Sequence, residues 1–133
     1  MRKLVLDSCA LIALFKGEKG GMIVADLLAD GKKGICDISM HRANLTEVFY
    51  DLYRARGLEA SQALVHSIEK SCIKIIDTIS QEMMYNAGRI KVDYKVSFAD
   101  SFAIACAIGL GATLVTADRH EMSVLDEGQI VPI

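Results

Sequence analysis

The sequence predicts an α/β fold in which a mainly parallel sheet of four to five strands is covered by helices on both faces. Three observations predict it. Short apolar runs at 3–7, 35–38, 72–76 and 113–117 alternate with longer segments of helical periodicity. Strands separated by helix-length segments pair in parallel and are buried on both sides. Hydrophobic residues make up 52% of the 133 and proline occurs once, so a compact, largely regular chain is expected.

The first strand, 3–7, is ended by Asp7 and Ser8. Residues 9–15 make a short apolar helix, broken by Gly17, Gly20 and Gly21. Met22, Ile23, Leu27 and Leu28 define a helical face over 22–30, and Gly31 to Gly34 is read as a turn into the strand at 35–38. A helix over 40–56 carries Leu45, Val48, Phe49 and Leu52 on its apolar side and is closed by Gly57. A second helix, 59–70, buries Ala60, Ala63, Leu64 and Ile68 and leads to the strand at 72–76. Thr78 or Ser80 caps a helix running to about Tyr94. A helix over 98–109 is stopped by Gly109 and Gly111 before the strand at 113–117. Residues 119–125 are a short helical or irregular piece, and 129–132 a final short strand. There is no internal repeat, linker or low-complexity stretch, so one domain spanning 1–133 is expected.

The formal net charge is −2, so the overall field gives no support to nucleic-acid binding; any such binding needs a local basic patch. No apolar run approaches the roughly 18 residues of a membrane span, and no signal-peptide pattern opens the chain. The expected compartment is the cytosol. Cys9, Cys36, Cys72 and Cys106 are widely spaced with no Cys-x-x-Cys pair, and His41, His66 and His120 do not complete a zinc pattern. They read as buried, reduced thiols.

Four carboxylates sit against apolar segments: Asp7, Glu47, Asp100 and Asp118. Such acids cost free energy unless paired with cations or a metal. In parallel sheets, sites form beyond the carboxyl ends of the strands, where Asp7 and Asp118 lie. Glu47 and Asp100 fall in the first turns of helices that can pack over that edge, and Asn44 shares a helix face with Glu47. Each acid also has a structural explanation. Ser97-x-x-Asp100 and Asp118-x-x-Glu121 match capping boxes, and Asp7 with Ser8 can cap the first helix. Asp37 and Asp77 lie near strand ends too, and physics alone does not separate them from the four.

A family pattern does. Leu4-Val5-Leu6-Asp7-Ser8, Asn44-x-x-Glu47, Ser97-Phe98-Ala99-Asp100 and Thr116-Ala117-Asp118 follow one another in order. With them the chain resembles a PIN-domain protein, most closely a VapC-type toxin ribonuclease, over essentially its whole length. The resemblance implies a three-layer α/β/α sandwich with the acids clustered at one edge, and metal-dependent cleavage of RNA. By position, Asp7, Glu47, Asp100 and Asp118 take the catalytic and metal-binding role. Ser8, Asn44 and Thr116 take supporting roles, and Glu121 is a further candidate for the fourth place. It also implies a cognate antitoxin and a homodimer.

Packed carboxylates need a compensating charge, and oxygen ligands suit Mg²⁺ or Mn²⁺. Such an ion activates water and stabilises charge on a phosphodiester in transit. Lys16, Lys19, Arg54, Arg56, Arg119 and His120 are the cations near these motifs, with Arg119 beside a proposed ligand. Most also read as solvated surface or as cations at helix C-termini. Tyr50, Leu52, Tyr53 and Leu58 offer apolar surface that serves either a partner or the core. The competing readings are a PIN-domain nuclease of RNA processing, a non-catalytic metal- or RNA-binding module and a phosphatase with Asp7 as nucleophile. The last is weakened by Cys9 standing where a second acid would be needed.

Overall fold

The computed structural model describes residues 1–117 and 130–133. Strand β1 (Arg2–Leu6) is followed by helices α1 (Ser8–Phe15) and α2 (Gly21–Lys32) and by β2 (Cys36–His41). Helices α3 (Arg42–Arg56) and α4 (Leu58–Glu69) lead to β3 (Lys74–Ile76). Helices α5 (Gln81–Tyr94) and α6 (Phe98–Leu110) lead to β4 (Thr113–Thr116), and β5 (Ile130–Pro132) follows. The five strands pair in parallel in the order β3-β2-β1-β4-β5. The chain therefore builds outward from β1 to β3, then returns across β1 to β4. That reversal makes the carboxyl ends of β1 and β4 the topological switch point, the place where open parallel sheets bind their ligands.

Alternation along β1 divides the core into two. Leu4 and Leu6 join Leu11, Val24, Leu45, Val48 and Leu52 on one face. Val5 joins Leu114, Ile90, Phe102 and Ile104 on the other. Helices thus cover both faces, as the sequence predicted. The apolar character of α6 all round follows, because seven of its residues are buried, from Ser101 to Ala107.

Strand β3 begins at Lys74, two residues after the apolar run read from Cys72, and β2 and α2 also depart from the periodicity. Strand β2 runs on through Ser39 and His41, both buried, where the apolar run stops at Ile38. A strand buried on both faces need not stop at a polar residue whose hydrogen bonds are met inside. Helix α2 continues through Gly31 instead of turning there. A Cβ at Gly31 would lie 2.8 Å from Ile38 Cδ1 and 3.1 Å from Cys72 Sγ, so close packing against β2 is what requires the glycine. Gly57 (φ 88°) forms the joint between α3 and α4, a backbone conformation that other residues rarely adopt.

Candidate active site

Asp7 follows β1 directly and is completely buried. Its Oδ1 accepts the Ala10 N–H at 2.9 Å, so it is the N-cap of α1. The capping explanation therefore holds together with its place at the edge. Its own N–H donates to the Val115 carbonyl at 3.4 Å, which sets it beside the end of β4 and buried Thr116.

Ser8 turns this edge toward α3. Its N–H donates to Asn44 Oδ1 at 3.3 Å and its hydroxyl donates to Glu47 Oε1 at 3.0 Å. Asn44 is completely buried, and its Nδ2 donates at 3.2 Å to the carbonyl of Ala99, the residue before Asp100. One chain of hydrogen bonds thus joins the Asp7–Ser8 turn, the first turns of α3 and the start of α6. Asp100 is half-buried in the first turn of α6, and its N–H donates to Ser97 Oγ at 3.1 Å. The Ser97 cap is real, and it fixes where α6 begins. Burial pushes the Tyr50 phenol up, and the Glu47 carboxylate one turn earlier adds to the rise.

These bonds tie together the turn at Asp7, the turn of α3 that carries Glu47 and the residue before Asp100. Asp118, Arg119, His120 and Glu121 lie outside the described residues. Among the described residues no three Asp, Glu, His or Cys side chains form a ready-made ion site. The donors at this edge are carboxylate oxygens with serine, asparagine and threonine around them, a set whose chemistry suits Mg²⁺ or Mn²⁺.

The other acids separate cleanly. Asp37 is the second residue of β2, level with Lys3 at the opposite end of β1, and pairs with Lys74 at 3.0 Å. Asp77 is held by Arg42, which also binds Glu69. Asp37 stands at the far end of the sheet, and Asp77, at the carboxyl end of β3, is tied to Arg42 and not to the Ser8–Asn44–Ala99 bonds.

The cations are rearranged. Helix α1 carries Lys16 away from Asp7, by about 1.5 Å per residue, to a 2.9 Å ion pair with Asp51. Arg56, at the far end of α3, donates to the Phe15 carbonyl at 3.4 Å. Arg54 turns back over the Tyr50 ring at 5.6 Å. Lys19 is exposed. Leu52 is core, whereas Tyr50, Tyr53 and Leu58 are exposed. Cys36 and Cys106 are buried thiols, with burial pushing Cys106 up to about 11; Cys9 and Cys72 are half-buried, and none of the four is in a disulfide.

His41, unassigned from sequence, caps α3. Its Nδ1 accepts the Ala43 N–H at 3.0 Å, so Nε2 carries the proton and donates to the Thr78 carbonyl at 3.2 Å. That arrangement needs the neutral ring. Burial lowers its pKa from 6.5, against smaller raising effects of the Thr78 carbonyl and Asp77. The unfolded chain then takes up this proton first as the pH falls. The stability from neutral His41 is fully present above the unfolded value and is lost as the pH drops through the lower folded one. Urea midpoints measured at pH 7.5 and 5.5 are expected to fall further for the wild type than for His41→Asn, which caps without titrating. Equal falls would show that His41 does not titrate with folding.

No helix among the described residues is long and apolar enough to cross a membrane. No curated protein matches the chain in sequence. Among solved structures it is similar to VapBC2 from Rickettsia felis, bound to a promoter DNA fragment: 20% identity, TM-score 0.73, 98% of each chain covered. It is also similar to DNA-bound VapBC from Salmonella typhimurium: 15% identity, TM-score 0.75, 99% of this chain and 98% of that one. A third is VapC20 of Mycobacterium tuberculosis, a toxin described as cleaving the sarcin–ricin loop: 18% identity, TM-score 0.71, coverage 91% and 94%. These likenesses agree in fold. The PIN domain family model matches residues 4–127, the span that contains the end of β1, all of β2 to β4 and every acid discussed above, and the chain belongs to the PIN domain family.

Proposed function

We propose that this chain is a divalent-metal-dependent endoribonuclease, the toxin of a VapBC-type toxin–antitoxin module. The observation that carries the reading is the hydrogen-bond chain from Ser8 through Asn44 to Ala99, with Glu47 joined to Ser8. It holds the backbone next to three carboxylates at the switch point, where an open parallel sheet binds its ligands. Family membership and the VapC-like fold support the same activity.

Asp7, Glu47 and Asp100 would hold Mg²⁺ or Mn²⁺, with Asp118 or Glu121 completing the set. The ion, when bound, supplies positive charge that activates water and stabilises the phosphate in transit. Asp7 is positioned by its cap on α1, and Ser8 orients Glu47. Glu47 and Asp100 are only half-buried, so either carboxylate keeps the solvent access needed to take a proton from the attacking water. Asn44 keeps the start of α6 against the Ser8 turn, and Thr116 lines the β4 side. The partners that go with this reading are an RNA substrate, a cognate antitoxin and a second copy of the chain, in the cytoplasm.

The test is cleavage of an RNA pool by the purified chain in Mg²⁺ or Mn²⁺, with excess EDTA as the control. Cleavage in either metal that stops with EDTA is expected. Cleavage indifferent to EDTA, or no cleavage in either metal, would sink the reading.

A further inference from the structure

We infer that a groove beside Glu47 seats one unpaired nucleobase of the RNA strand, with Phe98 as its stacking platform; the identity of the strand as substrate rests on the function proposed above. The groove has a volume of about 370 Å³ and lies between Thr46, Glu47 and Tyr50 of α3 and Ser97, Phe98 and Ala99 at the start of α6. That is the size of a site for a small planar ligand.

Phe98 is 63% exposed, although it is the first residue of α6 and adjoins the core. Its ring is nevertheless held. It meets Phe102 edge-on at 5.0 Å, and Phe102 stacks on the buried His41 ring at 4.9 Å. This ladder of three rings runs from the end of β2 to the groove and leaves Phe98 pre-oriented for a flat partner. Tyr50 supplies a second aromatic wall from a different helix, with the Arg54 guanidinium over its ring.

The polar lining decides between a base and a purely apolar occupant. The Thr46 hydroxyl donates to the Arg42 carbonyl, which leaves its oxygen able to accept from an exocyclic amine. Ser97 Oγ accepts the Asp100 N–H, and its own proton can be donated to a ring nitrogen or carbonyl. A nucleobase presents both a π-face and such an edge, and single-stranded RNA is read by that combination. Placement supplies the last link. Glu47 belongs to both groove and acid edge, and the wall formed by residues 97–99 runs straight into Asp100. A base seated here sets its own phosphodiester at those carboxylates, with Arg54 as the neighbouring cation for the strand.

The test titrates the full chain, in EDTA, into single-stranded RNA carrying 2-aminopurine, and reads the fluorescence. Wild type and Phe98→Tyr are expected to quench it. Phe98→Leu is expected to bind roughly tenfold to a hundredfold more weakly, the size of a lost base–aromatic stack. Phe98 is a surface residue, so the leucine variant keeps the fold, which circular dichroism checks. In a second arm, with Mn²⁺, an abasic nucleotide is moved along a cleaved RNA. At one position it should reduce wild-type cleavage while costing Phe98→Leu nothing further. Equal quenching by wild type and Phe98→Leu overturns the inference. So does a loss of self-association in Phe98→Leu with RNA binding unchanged, which would make the groove a contact between copies. If the wild type binds through Phe98 but never cleaves, the base site stands and the nuclease assignment falls.

Discussion

On the proposed function, Asp7→Asn is expected to give a folded protein whose RNA cleavage is reduced by at least about a hundredfold, since an ion held by this carboxylate would supply several kcal/mol of transition-state stabilisation. The substitution separates two jobs that one side chain performs. Asp7 Oδ1 caps α1 through the Ala10 N–H. Asparagine caps as well as aspartate, so that bond survives. What is removed is the negative charge at the end of β1, at a position that is completely buried. Relief of that buried charge leaves stability unchanged or raised. Asp7→Ala would confuse the two roles, because loss of a cap alone costs about 1 kcal/mol. Single-turnover cleavage in Mg²⁺ and a thermal melt of the same preparation read the two jobs independently. Undiminished cleavage by folded Asp7→Asn would remove Asp7 from the chemistry.

Asn44→Ala is expected to be the most damaging change to stability at this edge, by about 2–4 kcal/mol. It leaves the buried Ser8 N–H without its partner, worth roughly 1–3 kcal/mol, and removes the part-buried bond to the Ala99 carbonyl, worth about 1 kcal/mol. With a urea slope of about 1–3 kcal/mol per molar, the midpoint should drop by roughly 1–2 M. Asn44→Asp keeps the acceptor for Ser8 and loses the donor to Ala99, so its midpoint should lie between the two. A midpoint for Asn44→Ala within error of wild type would show that these bonds do not hold the three elements together.

The order of strands and helices was legible because apolar runs of different length and period mark each in turn. Asp7, Glu47 and Asp100 were legible as a set because the ordered motifs singled them out, and the spacing of Asn44 and Glu47 put both on one face of α3. What lay hidden depended on distance in space. Asn44 bonds to Ser8 and Ala99, contacts that no local pattern marks. His41 ends a strand whose polar residues interrupt the apolar run, so its cap was missed: the strand read as 35–38 stops three residues short, and the helix read as 40–56 starts two residues early. Lys16 and Arg56 stand close in sequence to the motifs, yet each is carried to the other end of its helix. Tyr50 had a usable signal in its i, i+3 spacing from Glu47. Phe98 had none, since an aromatic opening an apolar helix reads as core until its exposure is seen.

The position of β1 in the sheet has a consequence for when the protein becomes active. Leu4 lies beside Ile38 on one side and Thr113 on the other. During synthesis β2 reaches β1 early, whereas β4 can reach it only after β3 and helices α5 and α6 have been made. Until then one side of β1 is an unpaired edge, and long-range parallel pairing of this kind forms slowly. Residues Ser97 to Asp100, which complete the acid edge, arrive in the same late segment. The nuclease proposed above would therefore complete its acid edge last, after β1 to β3 and the helices between them have formed.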